Sequence, residues 1–210
     1  MSSRDAILAR LRSVSPVRHS EPETTVQEIS AEDMFSQFKH SLEAVHGDVM
    51  LIQPDELASS LESYCRKLGV RSYSCSDHNW LAEHLTQFRA IKEYQWRSPT
   101  SVVQHRSELF HHLDMGITSA VGWIAETGTV VLQSSEHEPR ALSLVPPCHV
   151  VIVRESDGFA DMAAFMCQQQ TPLPTNLIMI SGPSKTADIQ QTLAYGAHGP
   201  AQFLVIILRQ

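Results

Sequence analysis

The sequence lacks any uninterrupted apolar stretch long enough to cross a bilayer, and Arg4, Asp5 and Arg10 place charges among its first residues. A membrane-spanning helix needs about 20 predominantly apolar residues, and a secretory signal has a continuous apolar segment behind its basic start. Neither pattern is found. We therefore predict a cytoplasmic protein without a membrane span.

Clustered basic residues are also missing. The chain has 16 lysines and arginines against 23 acidic residues, a net charge of −7, and its densest basic group is Arg66-Lys67 with Arg71. Proteins that bind nucleic acid neutralise the phosphates with clustered Lys and Arg. We therefore predict no nucleic-acid partner.

The 4 cysteines (Cys65, Cys75, Cys148 and Cys167) are far apart and include no Cys-x-x-Cys pair. Iron–sulfur and structural zinc sites usually draw on such close pairs, and disulfides are rare in a reducing compartment. These residues are therefore predicted to be buried free thiols, with no cofactor held by this chain.

Three common functional motifs are absent. Without Gly-x-Gly-x-x-Gly the usual dinucleotide signature is missing, and without Gly-x-Ser-x-Gly the serine-hydrolase nucleophile elbow has no support. The Ser181 to Thr186 segment contains a lysine, but no glycine stands directly before it, so it is not a P-loop.

The chain is expected to divide into a helix and linker over residues 1–29 and a single α/β domain over residues 30–210. A helix is predicted over residues 4–12, and Pro16 and Pro22 interrupt the segment that follows. Ser30 begins a capping box, and behind it a helical apolar repeat is predicted to pack against the core. Its members are Met34, Phe38, Leu42 and Val45.

The domain shows the alternation that is typical of a parallel sheet. Residues 48–53 and 70–74 are predicted strands, with a helix over 55–68 between them that Gly69 ends. The runs 150–153 and 204–208 are continuously apolar, as in strands that are covered on both faces. The predicted fold class is α/β, with a mostly parallel sheet flanked by helices and an N-terminal helical appendage.

Two further segments are predicted from local pattern. Residues 121–132 indicate a β-hairpin with Glu126 at its turn. Residues 158–169 are predicted to be helical, with an inward face made of Phe159, Met162, Ala163 and Met166.

The segment from 176 to 208 carries the strongest functional signal. We expect a strand over 176–180, a turn of small residues, a helix over 187–194, a second turn over 195–200 and a closing strand. A helix that starts after a strand leaves backbone N–H groups free at its first turn, where an anion can bind.

Four motifs, in this order, resemble the lactate utilization protein C (LutC/YkgG) family, whose members consist of the LUD domain. The resemblance covers roughly residues 105–208, and the motifs are Asp114-Met115-Gly116-Ile117-Thr118, Ile124-Ala125-Glu126-Thr127-Gly128-Thr129, Ser143-Leu144-Val145-Pro146-Pro147-Cys148-His149 and Ile180-Ser181-Gly182-Pro183-Ser184-Lys185-Thr186 with the Gly196 to Pro200 turn. The resemblance implies a NagB/RpiA/CoA-transferase-like fold. It also implies a role in oxidising L-lactate to pyruvate beside iron–sulfur partner proteins, which would hold the clusters. It leaves open whether this chain is itself an enzyme.

Glu126 is the first candidate catalytic residue. Its apolar neighbours predict a desolvated carboxylate suited to acid–base work, or to a nucleophilic role by analogy with CoA transferases. The alternative is an exposed turn carboxylate. Thr127 and Gly128, which follow it, are candidate ligand-binding residues.

A second set of candidates lies in the turn after residue 180. Hydroxyl and ammonium donors flank a glycine that permits close approach of a ligand, and together they suit a phosphate or carboxylate. The set is Ser181, Gly182, Ser184, Lys185 and Thr186. The alternative is a capped helix, with Ser184 or Thr186 as the cap and Asp188 near the dipole.

The remaining candidates are single residues. His198 is a candidate acid–base group or a turn histidine, and His149 opens a predicted strand, since strand ends commonly carry site residues. Cys148 is interpreted as a packed thiol. Asp114 is a candidate ligand-binding residue, but its spacing from His105, His111 and His112 does not match a metal site, so no metal is predicted.

Two functions remain open. The first is a component of L-lactate utilisation that acts with iron–sulfur partners and binds a small anionic molecule. The second is a stand-alone acyl- or CoA-transferase-like or ligase-like enzyme that uses Glu126. Both require the Glu126 hairpin and the Ser181 to Thr186 turn to meet at one cavity.

Overall fold

The computed structural model describes residues 3–13, 29–76, 80–168, 174–187, 193–196 and 198–209. Within these ranges the α-helices are α1 (Ser3–Ser13), α2 (Ala31–Glu43), α3 (Leu57–Leu68), α4 (Trp80–His84), α5 (Thr86–Arg89), α6 (Pro99–Gln104), α7 (Arg106–His111), α8 (Ala141–Leu144) and α9 (Met162–Cys167). Short 3₁₀ turns cover Pro54–Glu56 and Glu155–Asp157.

The strands in the same part of the chain form a large sheet, a smaller sheet and a separate two-stranded ribbon. They are β1 (Asp48–Ile52), β2 (Ser72–Cys75), β3 (Gln95–Arg97), β4 (Met115–Ser119), β5 (Gly122–Ile124), β6 (Thr129–Gln133), β7 (Cys148–Arg154), β8 (Gly158–Phe159), β9 (Leu177–Ile180), β10 (Lys185–Ala187), β11 (Leu193–Tyr195) and β12 (Gln202–Leu208).

The large sheet has six strands in the order β1-β12-β7-β4-β2-β3, and every pairing in it is parallel. Its middle strands, β12, β7 and β4, all come from the second half of the chain. The continuous apolar runs of β7 and β12 are those that a strand buried on both faces requires. The predicted α/β class with a mostly parallel sheet is therefore confirmed.

The two faces of this sheet are covered differently. Leu61 of α3 and Phe88 of α5 pack with Ile117, Val150 and other side chains on one face. The opposite face packs against α2 and against the smaller sheet, whose strand order is β8-β5-β6-β9. Of the functional candidates, His149 lies on this second face, beside Phe203.

Local signals in the first half of the domain are confirmed. The Ser30 hydroxyl accepts a hydrogen bond from the Asp33 N–H at 3.1 Å and caps α2, whose Phe38 and Leu42 are fully buried. Val45, the last member of the predicted apolar repeat, lies beyond the end of α2 and is 37% exposed. Gly69 ends α3 with φ +71°, a backbone conformation that favours glycine.

The predicted helix over 187–194 is wrong at both of its ends, and its middle, residues 188–192, lies outside the described residues. Residues Lys185–Ala187 form β10 and pair antiparallel with β11, Leu193–Tyr195. Local composition favoured a helix, but the backbone groups of β10 and β11 instead form hydrogen bonds with each other. The helix N-terminus proposed as the anion site is therefore not found in residues 185–187, which are strand.

The predicted helix over 158–169 is shorter than expected. Gly158–Phe159 form β8 beside β5, and α9 begins only at Met162, capped by the Asp161 carboxylate. Phe165, which was not among the predicted inward residues, is fully buried, whereas Met166 is 46% exposed. Of the predicted inward residues, Phe159 and Met162 do pack against the cluster that contains Phe165.

At the N-terminus, α1 agrees with the predicted helix and has no buried residue. The predicted linker falls mostly on residues 14–28, which lie outside the described residues, and the division at residue 29 stays a prediction. Across the described ranges, no helix combines the length and apolar character that crossing a bilayer requires.

Candidate functional site

The Glu126 hairpin and the turn after β9 meet, because their strands are neighbours. In the antiparallel pairing of β6 with β9, Val130 is opposite Ile180, which brings Thr129 opposite Ser181. The Thr129 and Ser181 hydroxyl oxygens are 2.7 Å apart, and Thr127 Oγ1 lies 2.6 Å from Thr129 Oγ1. A chain of three hydroxyls therefore joins the two turns.

Helix α2 and the residues just after it lie against both turns. Gly128 has φ +60°, and a Cβ there would lie 2.7 Å from the Leu42 backbone nitrogen. Gly182 has φ +126°, and a Cβ there would lie 2.8 Å from Val45 Cγ2. Glycine is required at both positions because a side chain would meet the helix and its end.

A pocket of about 140 Å³ opens beside this junction. Its apolar wall comes from β9, α8 and β12, and its polar groups are two serines and two histidines. The lining residues are Ser143, Leu144, His149, Ile180, Gly182, Ser184, His198, Gly199, Pro200 and Phe203. A mostly apolar cavity with a few polar groups is the usual form of a small-molecule site.

The two turns that flank the pocket are bound to each other. The Ser184 N–H donates to the Pro200 carbonyl at 2.8 Å, and the Gly196 N–H donates to the Ser184 carbonyl at 2.9 Å. A Cβ on Gly199 would approach Ser184 Cβ to 3.1 Å. These contacts hold Ser184 and His198, more than ten positions apart in sequence, at one opening.

His149 is the most deeply buried polar residue of the pocket. Its ring is fully buried, Nε2 lies 2.9 Å from Thr118 Oγ1, and Nδ1 has no hydrogen-bond partner in the described structure. Burial lowers the pKa of this imidazole to about 3. His149 is therefore a neutral side chain at physiological pH.

The position of His149 in its strand differs from the general rule that we applied. His149 is the second residue of β7, at the amino end of the parallel strand, whereas ligands of open α/β sheets usually bind beyond the carboxyl ends. The pocket arises because the turns before β12 and after β9 fold over the amino ends of β7 and β12.

Glu126 lies outside this pocket. Its side chain is exposed, so the desolvated environment that its apolar neighbours predict is not found. Its backbone is nevertheless fixed, because the Ser41 hydroxyl donates to the Glu126 carbonyl at 3.1 Å and the Glu126 N–H donates to the Ala160 carbonyl. The expected convergence therefore holds for the two turns but not for the carboxylate.

Asp114 also lies outside the pocket. Its carboxylate accepts hydrogen bonds from the N–H groups of Arg71 and Ser72, each at 2.9 Å, and so holds the start of β2 against β4. Lys185 is exposed beside Ser184, and Thr186 follows it in β10. The described residues contain no group of three or more His, Cys, Asp or Glu that could hold a metal ion.

The LUD domain family model matches residues 35–208, which spans both sheets and every residue of the pocket. The chain belongs to the LUD domain family. Among curated proteins, it is 29% identical to an uncharacterised protein of Neisseria meningitidis serogroup B, with 99% of this chain and 94% of that protein aligned.

Other relatives of this LUD domain are named lactate utilization protein C. Those of Shouchella clausii and Halalkalibacterium halodurans are 28% and 26% identical, each over 87% of this chain and 82% of the relative. A crystal structure of a DUF162 family protein from Deinococcus radiodurans matches with a TM-score of 0.60 at 18% identity, over 86% of this chain and 99% of that one. At that identity the likeness shows the fold.

Sequence reasoning did not single out several lining residues of the LUD domain pocket. Ser143 and Leu144 belong to the short helix α8, and Phe203 enters through the register of β12 with β7. One signal was available, because Ser143 and His149 begin and end one of the four family motifs. Thr118 ends another of those motifs, but its contact with His149 depends on the pairing of β4 with β7.

The thiols of the LUD domain give a first testable prediction. Cys65, Cys75 and Cys148 are buried, which raises the pKa of Cys65 and Cys148 to about 12 and that of Cys75 as well, while Cys167 is exposed. Because the thiolate is the reactive form, the buried thiols should react at least about a thousandfold more slowly with Ellman's reagent.

We expect one fast-reacting thiol in the native protein and all 4 after unfolding. The variant Cys167→Ser should lose the fast phase. A second fast thiol in the native protein would contradict the burial described here.

Proposed function

We propose that this protein is a component of L-lactate utilisation that binds a small carboxylate in the pocket beside the Ser181 to Thr186 turn. Relatives named lactate utilization protein C, aligned over 82% of their own length, support this role more strongly than any other single observation. The size and chemistry of the pocket support it independently.

The size of the pocket suits a very small ligand. A cavity of about 150 Å³ binds benzene in another protein, and this pocket measures about 140 Å³. Lactate and pyruvate have as many non-hydrogen atoms as benzene. A nucleotide or coenzyme A is far too large to be enclosed in it.

The lining supplies separate places for the two ends of such a ligand. Ile180 and Phe203 offer an apolar surface for a methyl group, and Ser184 and His198 offer donors for a carboxylate. No acidic side chain is among the described lining residues, and Lys185 adds a positive charge next to Ser184. An anion therefore meets no negative charge among these described lining residues.

We further propose that the electrons of lactate oxidation pass to partner proteins. Conversion of lactate to pyruvate releases two electrons and two protons, and the cysteines of this chain do not form a close pair. The family resemblance implies iron–sulfur proteins as these partners. Affinity purification of the tagged protein from lactate-grown cells should recover them, and their absence from cross-linked samples would contradict this part of the proposal.

The growth phenotype tests the proposed role directly. In a host without a second L-lactate oxidase, deletion of the gene is expected to abolish growth on L-lactate while leaving growth on pyruvate intact. The wild-type gene should restore growth. The variant Ser184→Leu, which fills the pocket, should fail to restore it, whereas Ser107→Leu, exposed on α7, should succeed. Normal growth of the deletion strain on L-lactate would refute the role.

A second function is favoured by one observation, the fixed backbone and accessible carboxylate of Glu126. An acyl- or CoA-transferase-like enzyme needs an exposed nucleophile that a large substrate can reach. In that case Glu126→Gln should abolish turnover and leave folding unchanged. Under the lactate proposal the same variant should support growth on L-lactate as the wild type does, so the two functions are distinguished.

A further inference from the structure

His149 has a hydrogen-bonding group that the protein itself leaves unused. Its Nε2 contacts the Thr118 hydroxyl at 2.9 Å, and its Nδ1 is buried without a partner. A buried polar atom without a partner destabilises the folded state, so such atoms are rare in native proteins unless a ligand or water completes them. Because His149 also lines the pocket, a ligand bound there is a candidate partner for Nδ1.

The contact with Thr118 decides whether Nδ1 carries a proton. If the Thr118 hydroxyl donates to Nε2, the hydroxyl is satisfied and only an Nδ1–H remains without a partner. If Nε2–H donates instead, both the hydroxyl hydrogen and the Nδ1 lone pair are unmet. The first arrangement leaves fewer buried groups unsatisfied, so Nδ1 is the protonated nitrogen.

The surroundings fix this donor in place. Paired residues of neighbouring strands point to the same face, so Gly116 of β4 and Phe203 of β12 flank His149, with the Phe203 ring centroid at 5.5 Å. The pKa of about 3 means that the ring carries no charge at physiological pH. A neutral, immobile N–H suits an uncharged oxygen of the ligand, while the carboxylate stays near Ser184 and His198.

We propose that His149 is a specificity-determining residue of this pocket: positioned by Thr118, its Nδ1–H donates a hydrogen bond to the 2-oxygen of a short 2-hydroxy or 2-keto acid. This inference rests on the proposed function for the identity of the ligand class. The inference goes beyond the proposed function because it states how the pocket separates such acids from plain carboxylic acids of the same size.

Propionate tests this discrimination, because it is lactate without the 2-hydroxyl. By isothermal titration calorimetry, the wild-type protein should bind lactate or pyruvate at least about tenfold more tightly than propionate, the effect of one lost hydrogen bond to a buried donor. His149→Leu should remove the preference, so that lactate and propionate bind with similar affinities. His149→Asn, whose amide N–H can take a similar position, should retain part of it.

A matched pair of variants tests the positioning role of Thr118. Thr118→Val removes the hydroxyl with little change in shape and should reduce the preference for 2-oxygenated acids, whereas Thr118→Ser keeps the hydroxyl and should preserve it. The preference should also be constant between about pH 5.5 and 8, since the imidazole stays neutral. If the preference disappeared as the pH rose through the ordinary pKa of a histidine, the inference would be overturned.

Nitrogen-15 NMR of histidine-labelled protein supplies a readout without any ligand, and it should show His149 as the neutral Nδ1–H tautomer. The Nε2–H tautomer would overturn the inference. Equal binding of lactate and propionate would overturn it too, while leaving the proposed carboxylate site standing. Failure of every acid to bind the wild-type protein would overturn both the proposed carboxylate site and the role of His149. Normal growth of the deletion strain on L-lactate would refute only the physiological role.

Discussion

Replacing Gly116 with alanine is expected to lower the free energy of unfolding by about 3 kcal/mol, near the upper end for overpacked positions. A Cβ at this position of β4 would overlap the carbonyl oxygen of Leu142 in α8. The obstacle is backbone, so it cannot be relieved by rotating a side chain. Either α8 moves away from the sheet or β4 distorts, and urea denaturation should report the loss.

Gly69→Ala is the matched control for this change. Gly69 ends α3 with φ +71°, but a Cβ there meets no atom within 4 Å, so only the backbone preference is affected. That preference costs about 1–2 kcal/mol. Because α8 carries Ser143 and Leu144, Gly116→Ala should also weaken ligand binding in the pocket, which Gly69→Ala should not do. Equal loss of stability in the two variants would contradict the close packing of α8 on β4.

The protein is expected to lose about 3 kcal/mol of stability through His149 alone when the pH falls from about 7.5 to 4.5. Burial lowers the pKa of His149 to about 3, against an ordinary value of 6.5. Below pH 6.5 the unfolded chain binds a proton at this residue, whereas the folded protein does not. The stabilising effect is therefore complete above pH 6.5 and declines as the pH falls toward 3.

The difference between wild type and His149→Asn isolates this contribution, because the carboxylates titrate equally in both proteins. The free energy of unfolding, measured by urea denaturation across the pH range, should depend less steeply on pH in the variant than in the wild type. The difference in slope near pH 5 should correspond to about 0.9 protons bound on unfolding. His112→Asn, at an exposed position after α7, should show the wild-type slope. Parallel curves for wild type and His149→Asn would show that His149 becomes protonated in the folded state.

Much of the fold was predictable because its signals are local. The capping serine of α2, the glycine after α3 and the apolar runs of β7 and β12 each depend on a few neighbouring residues. The segment from 187 to 194 shows the limit of this reasoning. At both ends of the segment the helical pattern gave way to pairing of β10 with β11, which joins residues 185–187 to residues 193–195.

The candidate site was predictable only in part, since it is assembled by register rather than by motif. Sequence spacing identified Ser184 and His198 but gave no reason for Thr118 to meet His149, which are 31 positions apart. It also placed Glu126 in the cavity on the basis of its apolar neighbours. Those neighbours are buried, yet the turn directs the carboxylate itself to solvent. Burial of a segment thus does not predict burial of the side chain at its tip.

The place of β12 within the large sheet has a consequence for synthesis on the ribosome. Asp48 of β1 is paired with Leu204, and among the described strands β1 has no other neighbour in the sheet. Until residues 202–208 have left the exit tunnel, β1 is without a hydrogen-bonded strand and β7 is open along one side. Long-range parallel pairing of this kind forms slowly. The nascent chain therefore exposes the unpaired edge of β1 for most of its translation and that of β7 after residue 154, and such edges favour aggregation before the sheet is complete.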